Sequence, residues 1–300
     1  MPATPHHATP NRATQAEKDL AAEIWAQFLG EKYDRARTLL DAALRDSNHP
    51  RFRRIEARLL LFEGKEAEAA TILAEIIEKA WQPGAWEFAL AGLPIGRAKI
   101  LPDQKILFFP VRKCGCTSVL NMLTLIEGRA MQGEQIHGED ADHQPVRFDE
   151  LDGTYADYFS CALVRAPMER IVSYHRGNIE ARDHLAVHHE GKDAFYGVPT
   201  RPTLDAFLKD LVRYRQVFVT ARNHTDPVSS FLGTDAGRYS WIGGLKDISE
   251  LKANLAARSD VSLPDVSEMR SPTSASDLPD LPDELTGLYK DDFAIYGRYF

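Results

Sequence analysis

Three hundred residues, 44% hydrophobic and 27% charged, are the composition expected of a soluble globular protein with one large domain and a small one. The formal charge of −8 excludes wholesale nucleic-acid binding, which needs a basic surface, although a few local Lys and Arg can still hold a small anion. No run of about 18 apolar residues occurs, so no transmembrane segment is expected.

The chain begins MPATPHHATPNRATQ. No apolar stretch follows a basic one there, so residues 1–15 are read as a disordered leader and not as a secretory signal. Residues 16–80 are rich in Ala, Leu, Glu and Arg, with Leu20, Ile24, Phe28, Leu39, Leu40 and Ala43 at helical spacing. A shift of 34 residues superposes Phe28 on Phe62, Gly30 on Gly64, Ala36 on Ala70 and Leu39 on Leu73. That period, with Gly between two helices, is tetratricopeptide-like; a plain helical bundle is the competing reading. Two units are too few to stand alone, so this segment is expected to pack on the next domain as a structural or docking appendage, with a protein partner on its helices.

Residues 81–103 carry Pro83, Gly84, Gly92, Pro94, Gly96 and Pro102 and are read as a linker. From residue 104 the pattern becomes strand, loop, helix. Lys105 to Val111 (KILFFPV) is an apolar run of strand length, followed by a polar loop and by Thr117 to Glu127 at helical spacing. Phe159 to Val164 (FSCALV) is a second strand, and Pro167 marks the first turn of the helix after it. Residues 104–300 are therefore expected to form an α/β domain around a mainly parallel sheet with flanking helices, preceded by the small all-α segment.

Two loops carry the chemistry. In VRKCGCTSVLNML (residues 111–123), a Lys and a Gly lie in a tight loop, and Thr117 and Ser118 open a helix. This gathers backbone N–H groups, two hydroxyls and an ammonium around one point, an anion site at a helix N-terminus. An ordinary N-cap at Thr117 with a solvated Lys113 would give the same letters. Gly-x-x-x-x-Gly-Lys-Ser/Thr is absent, so this is no Walker loop. In ALVRAPMERIVSYHR (residues 162–176), Arg165 stands at the carboxyl end of a strand and Ser173 eight residues on, in the next helix. Ligands of open α/β sheets bind at carboxyl strand ends, where a guanidinium and a hydroxyl can grip a phosphate. A surface ion pair and a space-filling Ser are the plainer reading of that pair, but both loops in this order make coincidence improbable.

The pair resembles the cofactor motifs of sulfotransferases, Lys-x-x-x-Thr-Ser before a helix and Arg-x-Pro-x-x-Arg-x-x-Ser after a strand, most closely the Golgi-type carbohydrate sulfotransferases and their bacterial relatives. The likeness covers residues 104–300, continuing through FLKDLV, RNHTDPVSSFLG, YSWIGGLKDISELKANL and LYKDDFAIYGRYF. It implies 3′-phosphoadenosine-5′-phosphosulfate (PAPS) as donor, held by Arg112, Lys113, Cys114, Gly115, Cys116, Thr117 and Ser118 at the 5′-phosphosulfate and by Arg165 and Ser173 at the 3′-phosphate. It also implies a hydroxyl acceptor, with a glycan or glycolipid favoured. Two departures stand out: Arg112 where the family usually has Pro, and Ala166 in the usual Arg-Asp-Pro. Arg270-Ser271 stands where the family often has Asn-x-Ser near the nucleotide.

Sulfuryl transfer is an in-line displacement in which the protein positions reactants and stabilises spread charge. Lys113 suits the bridging oxygen of the donor, and no metal is required by this logic, nor does any metal-ligand spacing demand one. The acceptor hydroxyl needs a base. By likeness to glycosaminoglycan 2-O-sulfotransferases this is His143, about twenty residues ahead of Arg165, with His137, Glu127 and Glu134 as alternatives. His184, His188 and His189 lie in a polar stretch, His175 packs in its helix, and His224 shapes the acceptor cleft. Cys114, Cys116 and Cys161 cannot pair completely, which points to a reducing cytoplasm. Two alternatives stay open: a P-loop-like nucleotide kinase, and a non-catalytic nucleotide-binding protein with a helical docking segment.

Overall fold

The computed structural model describes residues 13–78, 85–130, 136, 143–264 and 278–300. Four helices come first: α1 (Gln15–Leu29), α2 (Tyr33–Asp46), α3 (Pro50–Phe62) and α4 (Glu66–Glu78). A capping box starts α1, with Thr14 and Glu17 each accepting the other's backbone N–H. Gly30 and Gly64, the glycines aligned by the 34-residue offset, each end the first helix of a pair.

The segment 81–103 is more than a linker. It carries α5 (Ala85–Leu90) and β1 (Ile95–Leu101), and β1 lies second from one edge of the main sheet. Gly96 looked like loop punctuation, but a Cβ there would lie 2.9 Å from the Phe109 ring, the Phe148 ring and the Phe231 carbonyl. The glycine marks close packing across a strand.

The chain continues through β2 (Ile106–Phe108), α6 (Cys116–Ile126), β3 (His143–Arg147), β4 (Phe159–Val164), α7 (Pro167–Tyr174) and a π-turn over His175–Glu180. Next are α8 (His184–Val187), the small hairpin β5 (Ala194–Phe195) and β6 (Val198–Pro199), then α9 (Leu204–Lys209), α10 (Leu211–Val217), α11 (Val219–Thr225) and α12 (Val228–Leu232). The chain closes with β7 (Trp241–Gly244), α13 (Ile248–Ser259), α14 (Asp283–Thr286) and a second π-turn, Asp292–Tyr296. The main sheet has the order β3-β1-β2-β4-β7. β2, β4 and β7 pair in parallel, and β3 runs the same way through its antiparallel pairing with the reversed β1. This is the expected α/β architecture. Every residue of β2 and β4 is buried, as unbroken apolar runs require of strands covered on both faces.

Two larger cores result. The first packs the sheet against α6, α12 and α13 through Val119, Leu123, Phe231, Leu251 and Leu255. The second contains no strand of the main sheet. There Ile24, Phe28, Leu40 and Phe52 of the N-terminal helices meet Ile171 and Tyr174 of α7, Phe195 of β5, and Tyr214 and Phe218 around α10. The N-terminal helices thus share their core with the rest of the chain, so their apolar faces are covered from within. Polar ties follow the same seam. Buried Arg58 of α3 donates to the Gln216 carbonyl at 2.9 Å and to the Val217 carbonyl, capping the end of α10. Arg222 of α11 donates to both carboxylate oxygens of Glu66 in α4, at 3.2 and 2.7 Å. No described helix is long and apolar enough to cross a membrane.

Candidate active site

Because β2 and β4 are parallel neighbours, the loops leaving their carboxyl ends are neighbours too. The first runs from Phe109 to Gly115 and contains two left-handed residues, Lys113 at φ 63° and Gly115 at φ 76°. At Gly115 the conformation and the packing both demand glycine: a Cβ would sit 2.7 Å from Leu245 Cδ2. At Lys113 the same conformation costs a side-chain-bearing residue of order 1 kcal/mol or more, a strain characteristic of functional loops. The turn delivers the chain into α6 with its first N–H groups, those of Cys116, Thr117 and Ser118, lacking intrahelical acceptors. Thr117 and Ser118 are part-exposed there. An anion set before them meets the positive end of an eleven-residue helix.

The two cysteines of this loop are buried, and the Cys114 thiol donates to the Arg112 carbonyl at 3.6 Å. Cys114 is 1% exposed and its thiol is pushed up to about 12 by burial. Cys116 is buried and raised for the same reason, against the pull of Arg112 and Lys113. Both stay protonated thiols near neutral pH, so neither is a nucleophile and Cys114 can serve an anion only through its backbone.

The second loop comes directly to the first. Arg165, its side chain 11% exposed, donates from Nη1 to the Lys113 carbonyl at 3.3 Å and from Nε to Glu169 at 2.9 Å. Arg170, one turn further, is 1% exposed and donates from Nε to the Arg112 carbonyl at 3.1 Å. Its other two nitrogens have no hydrogen-bond partner among the described residues. Their charge lies near Asp292, whose carboxyl is raised by burial and pulled back down by Arg170. Ser173 is 4% exposed, and its hydroxyl has no hydrogen-bond partner among the described residues. A hydroxyl at this place in the helix after Arg165 can donate to a bound phosphate oxygen. The residues fit a bis-anionic nucleotide.

Beyond Ser173 lie residues that the loop patterns did not signal. The Lys113 ammonium donates to Asn178 Oδ1 at 2.8 Å, in the π-turn that continues α7. Such turns recur at functional sites, but nothing in the letters HRGNIE announces one. Tyr174, one turn before Asn178, stacks on His224 of α11 at 4.6 Å and 14°. His184 stands edge-on to both rings, 5.9 Å from Tyr174 and 5.6 Å from His224. One His184 nitrogen hydrogen-bonds with the Tyr174 hydroxyl at 3.3 Å, the other with exposed His188 at 3.1 Å. Burial first, then His188, Lys113, Arg182 and Arg112, drive the His184 imidazole down to about 4. His224 is lowered well below its usual value by burial and then by Arg112, with His184 and Lys113 adding to the effect. Both rings are neutral near pH 7, and both feel the cations of the first loop. The i,i+4 spacing of His184 and His188, with His224 expected at the acceptor cleft, hinted at this cluster in the sequence.

Of the candidate bases, His143 and Glu127 lie among the described residues. His143 opens β3, the edge strand, in register with Lys99 of β1. The Lys99 ammonium pairs with Glu127 at 2.8 Å, just past the last turn of α6. Lys113 precedes the first turn of that helix, so about 16 Å of helix separates the two ends. Glu127 thus lies at the far end of α6 from Lys113, whereas the register His143–Lys99–Phe108 sets His143 two strands away from the carboxyl end of β2. His137, Glu134, Arg270 and Ser271 lie outside the described residues. Among the described residues no group of three or more His, Cys, Asp or Glu is placed to hold a metal ion.

A family model described as a sulfotransferase family matches residues 97–299, about two thirds of the chain. Its span begins inside β1, in keeping with a sheet that starts before residue 104. No curated protein and no solved structure matches the chain.

Proposed function

The chain belongs to the sulfotransferase family, and we propose that it moves a sulfuryl group from PAPS to a hydroxyl of a carbohydrate acceptor, glycan or glycolipid. The single observation that supports the donor assignment is the hydrogen bond from Arg165 to the Lys113 carbonyl at 3.3 Å, which ties the two loops together. In this reading the first N–H groups of α6, with Thr117 and Ser118, hold the 5′-phosphosulfate. Arg165 and Ser173 take the 3′-phosphate. Lys113 leaves Asn178 for the oxygen bridging sulfur and phosphorus, where charge grows as the S–O bond breaks. The acceptor oxygen attacks in line from the opposite side and gives its proton to an imidazole. The sugar preference rests on family likeness, and a reducing cytoplasm is proposed from three free cysteines.

Calorimetry with 3′-phosphoadenosine-5′-phosphate (PAP), the product nucleotide, and with AMP tests the donor reading. PAP is expected to bind at least tenfold more tightly, because a charge-assisted contact to the 3′-phosphate is worth about 1.5–3 kcal/mol. Equal affinities would remove the assignment of Arg165 and Ser173. A kinase would instead require magnesium for turnover, which the same protein supplied with EDTA distinguishes.

A further inference from the structure

We propose that His224 is the proton acceptor of the transfer, taking the acceptor's hydroxyl proton on Nε2; the proposal rests on the PAPS reading above. His224 Nδ1 donates to the Thr220 carbonyl one turn back, at 2.7 Å. A carbonyl can only accept, so this bond puts the proton on Nδ1 and leaves the lone pair on Nε2. Nε2 has no hydrogen-bond partner among the described residues. His184 differs, since both its nitrogens are engaged by Tyr174 and His188.

The position of the ring follows from one helix. Ser173, Tyr174 and Asn178 succeed one another along α7 and its π-turn. Ser173 faces the 3′-phosphate side, Tyr174 carries the stacked His224 ring, and Asn178 holds the Lys113 ammonium. His224 is thus linked to Lys113 through adjacent side chains of a single element. The groups around it are Arg112 and Lys113 from the first loop, Tyr174 from α7 and His184 from α8, with His188 behind His184.

That surround gives the base a condition. Two cations and burial hold His224 deprotonated but weakly basic before the donor arrives. The phosphates of PAPS would neutralise Arg112 and Lys113 and strengthen the same nitrogen as a base. In the step itself, the acceptor O–H bond breaks and its proton goes to Nε2. A new S–O bond forms to that oxygen, and the donor's S–O bond breaks with its electron pair remaining on the 5′-phosphate of PAP. The imidazolium then releases its proton to solvent.

Nitrogen-15 NMR of the histidine rings in the full chain, with and without saturating PAP, tests this without knowing the acceptor. His224 is expected to show the Nδ1–H tautomer and to gain at least about one pH unit in its titration midpoint when PAP binds. In parallel, PAPS breakdown is followed with water as the acceptor. His224→Asn, whose amide can still reach the Thr220 carbonyl, is expected to lose about 10²-fold or more in turnover. Its PAP affinity should stay within about twofold, and free imidazole should restore part of the rate to His224→Ala. An unmoved His224 titration in PAP-saturated protein, or normal turnover by His224→Asn, overturns the proposal. Failure to bind PAP at all overturns the donor reading, and His224 with it.

Discussion

The two loops proposed to hold the donor leave strands lying side by side, whereas Tyr174, His184 and His224 come from three helices spread over about fifty residues. The sheet half achieves position through backbone: a left-handed Lys113, an obligatory Gly115 and a helix end. The helical half achieves it by side-chain packing, ring against ring, on a core completed by α1–α3. A loop set by main-chain ladders tolerates loss of a distant side chain. A cluster set by packing does not, because rings move when their support is removed.

The largest expected effect tests that contrast directly. Phe28 of α1 is 1% exposed and touches Trp25, Phe62, Phe195 and Tyr196 at centroid distances of 5.4, 5.4, 5.7 and 5.3 Å. Phe28→Ala is expected to cost about 3–5 kcal/mol in urea denaturation. In the folded fraction it should disturb His184 and His224 resonances more than PAP binding. An unchanged midpoint would mean that the N-terminal helices do not support the helical half. Next comes Lys113→Ala, which acts in the sheet half by chemistry alone. Its turnover of PAPS should fall about 10²–10³-fold, roughly 2.7–4 kcal/mol, with stability nearly unchanged, because Ala keeps the Cβ and with it the left-handed strain. If PAP affinity collapsed while kcat stayed within a few-fold, Lys113 would only cradle the phosphate. The smallest effect belongs to the joint between the halves. Asn178→Ala should lower kcat by about tenfold, the low end for a hydrogen bond to a charged group. KM for PAPS should change less than kcat, and Asn178→Gln should recover part of the rate. A change confined to KM would make Asn178 a binding residue and not a positioner of Lys113.

Legibility in the sequence follows the same division. Lys113, Thr117, Ser118, Arg165 and Ser173 could be proposed from the sequence because each loop is contiguous and its physics is local. α7 likewise began where Pro167 indicated. Strand β1 was missed because Gly96 and the prolines around it imitate a linker, while the need for glycine arises from Phe109, Phe148 and Phe231, far away in sequence. His143 was reached by counting back from Arg165, and counting does not show that it stands on the edge strand, with β1 between it and β2. His224 and Asn178 carry no local signature. Their relation to Lys113 exists only once α7 and α11 are packed together.

The Arg58 contacts have a practical consequence for anyone trimming this protein. A fragment cut at the family's own boundary, residue 97, would leave the Gln216 and Val217 carbonyls without their guanidinium and Arg222 without Glu66. It would also bare the Phe195 and Tyr196 rings that α1 and α3 cover. Such a piece would present an apolar face beside two orphaned helix-end carbonyls and is expected to aggregate more readily than the whole chain. The family border therefore falls short of a core that the N-terminal helices share with α7 and α10.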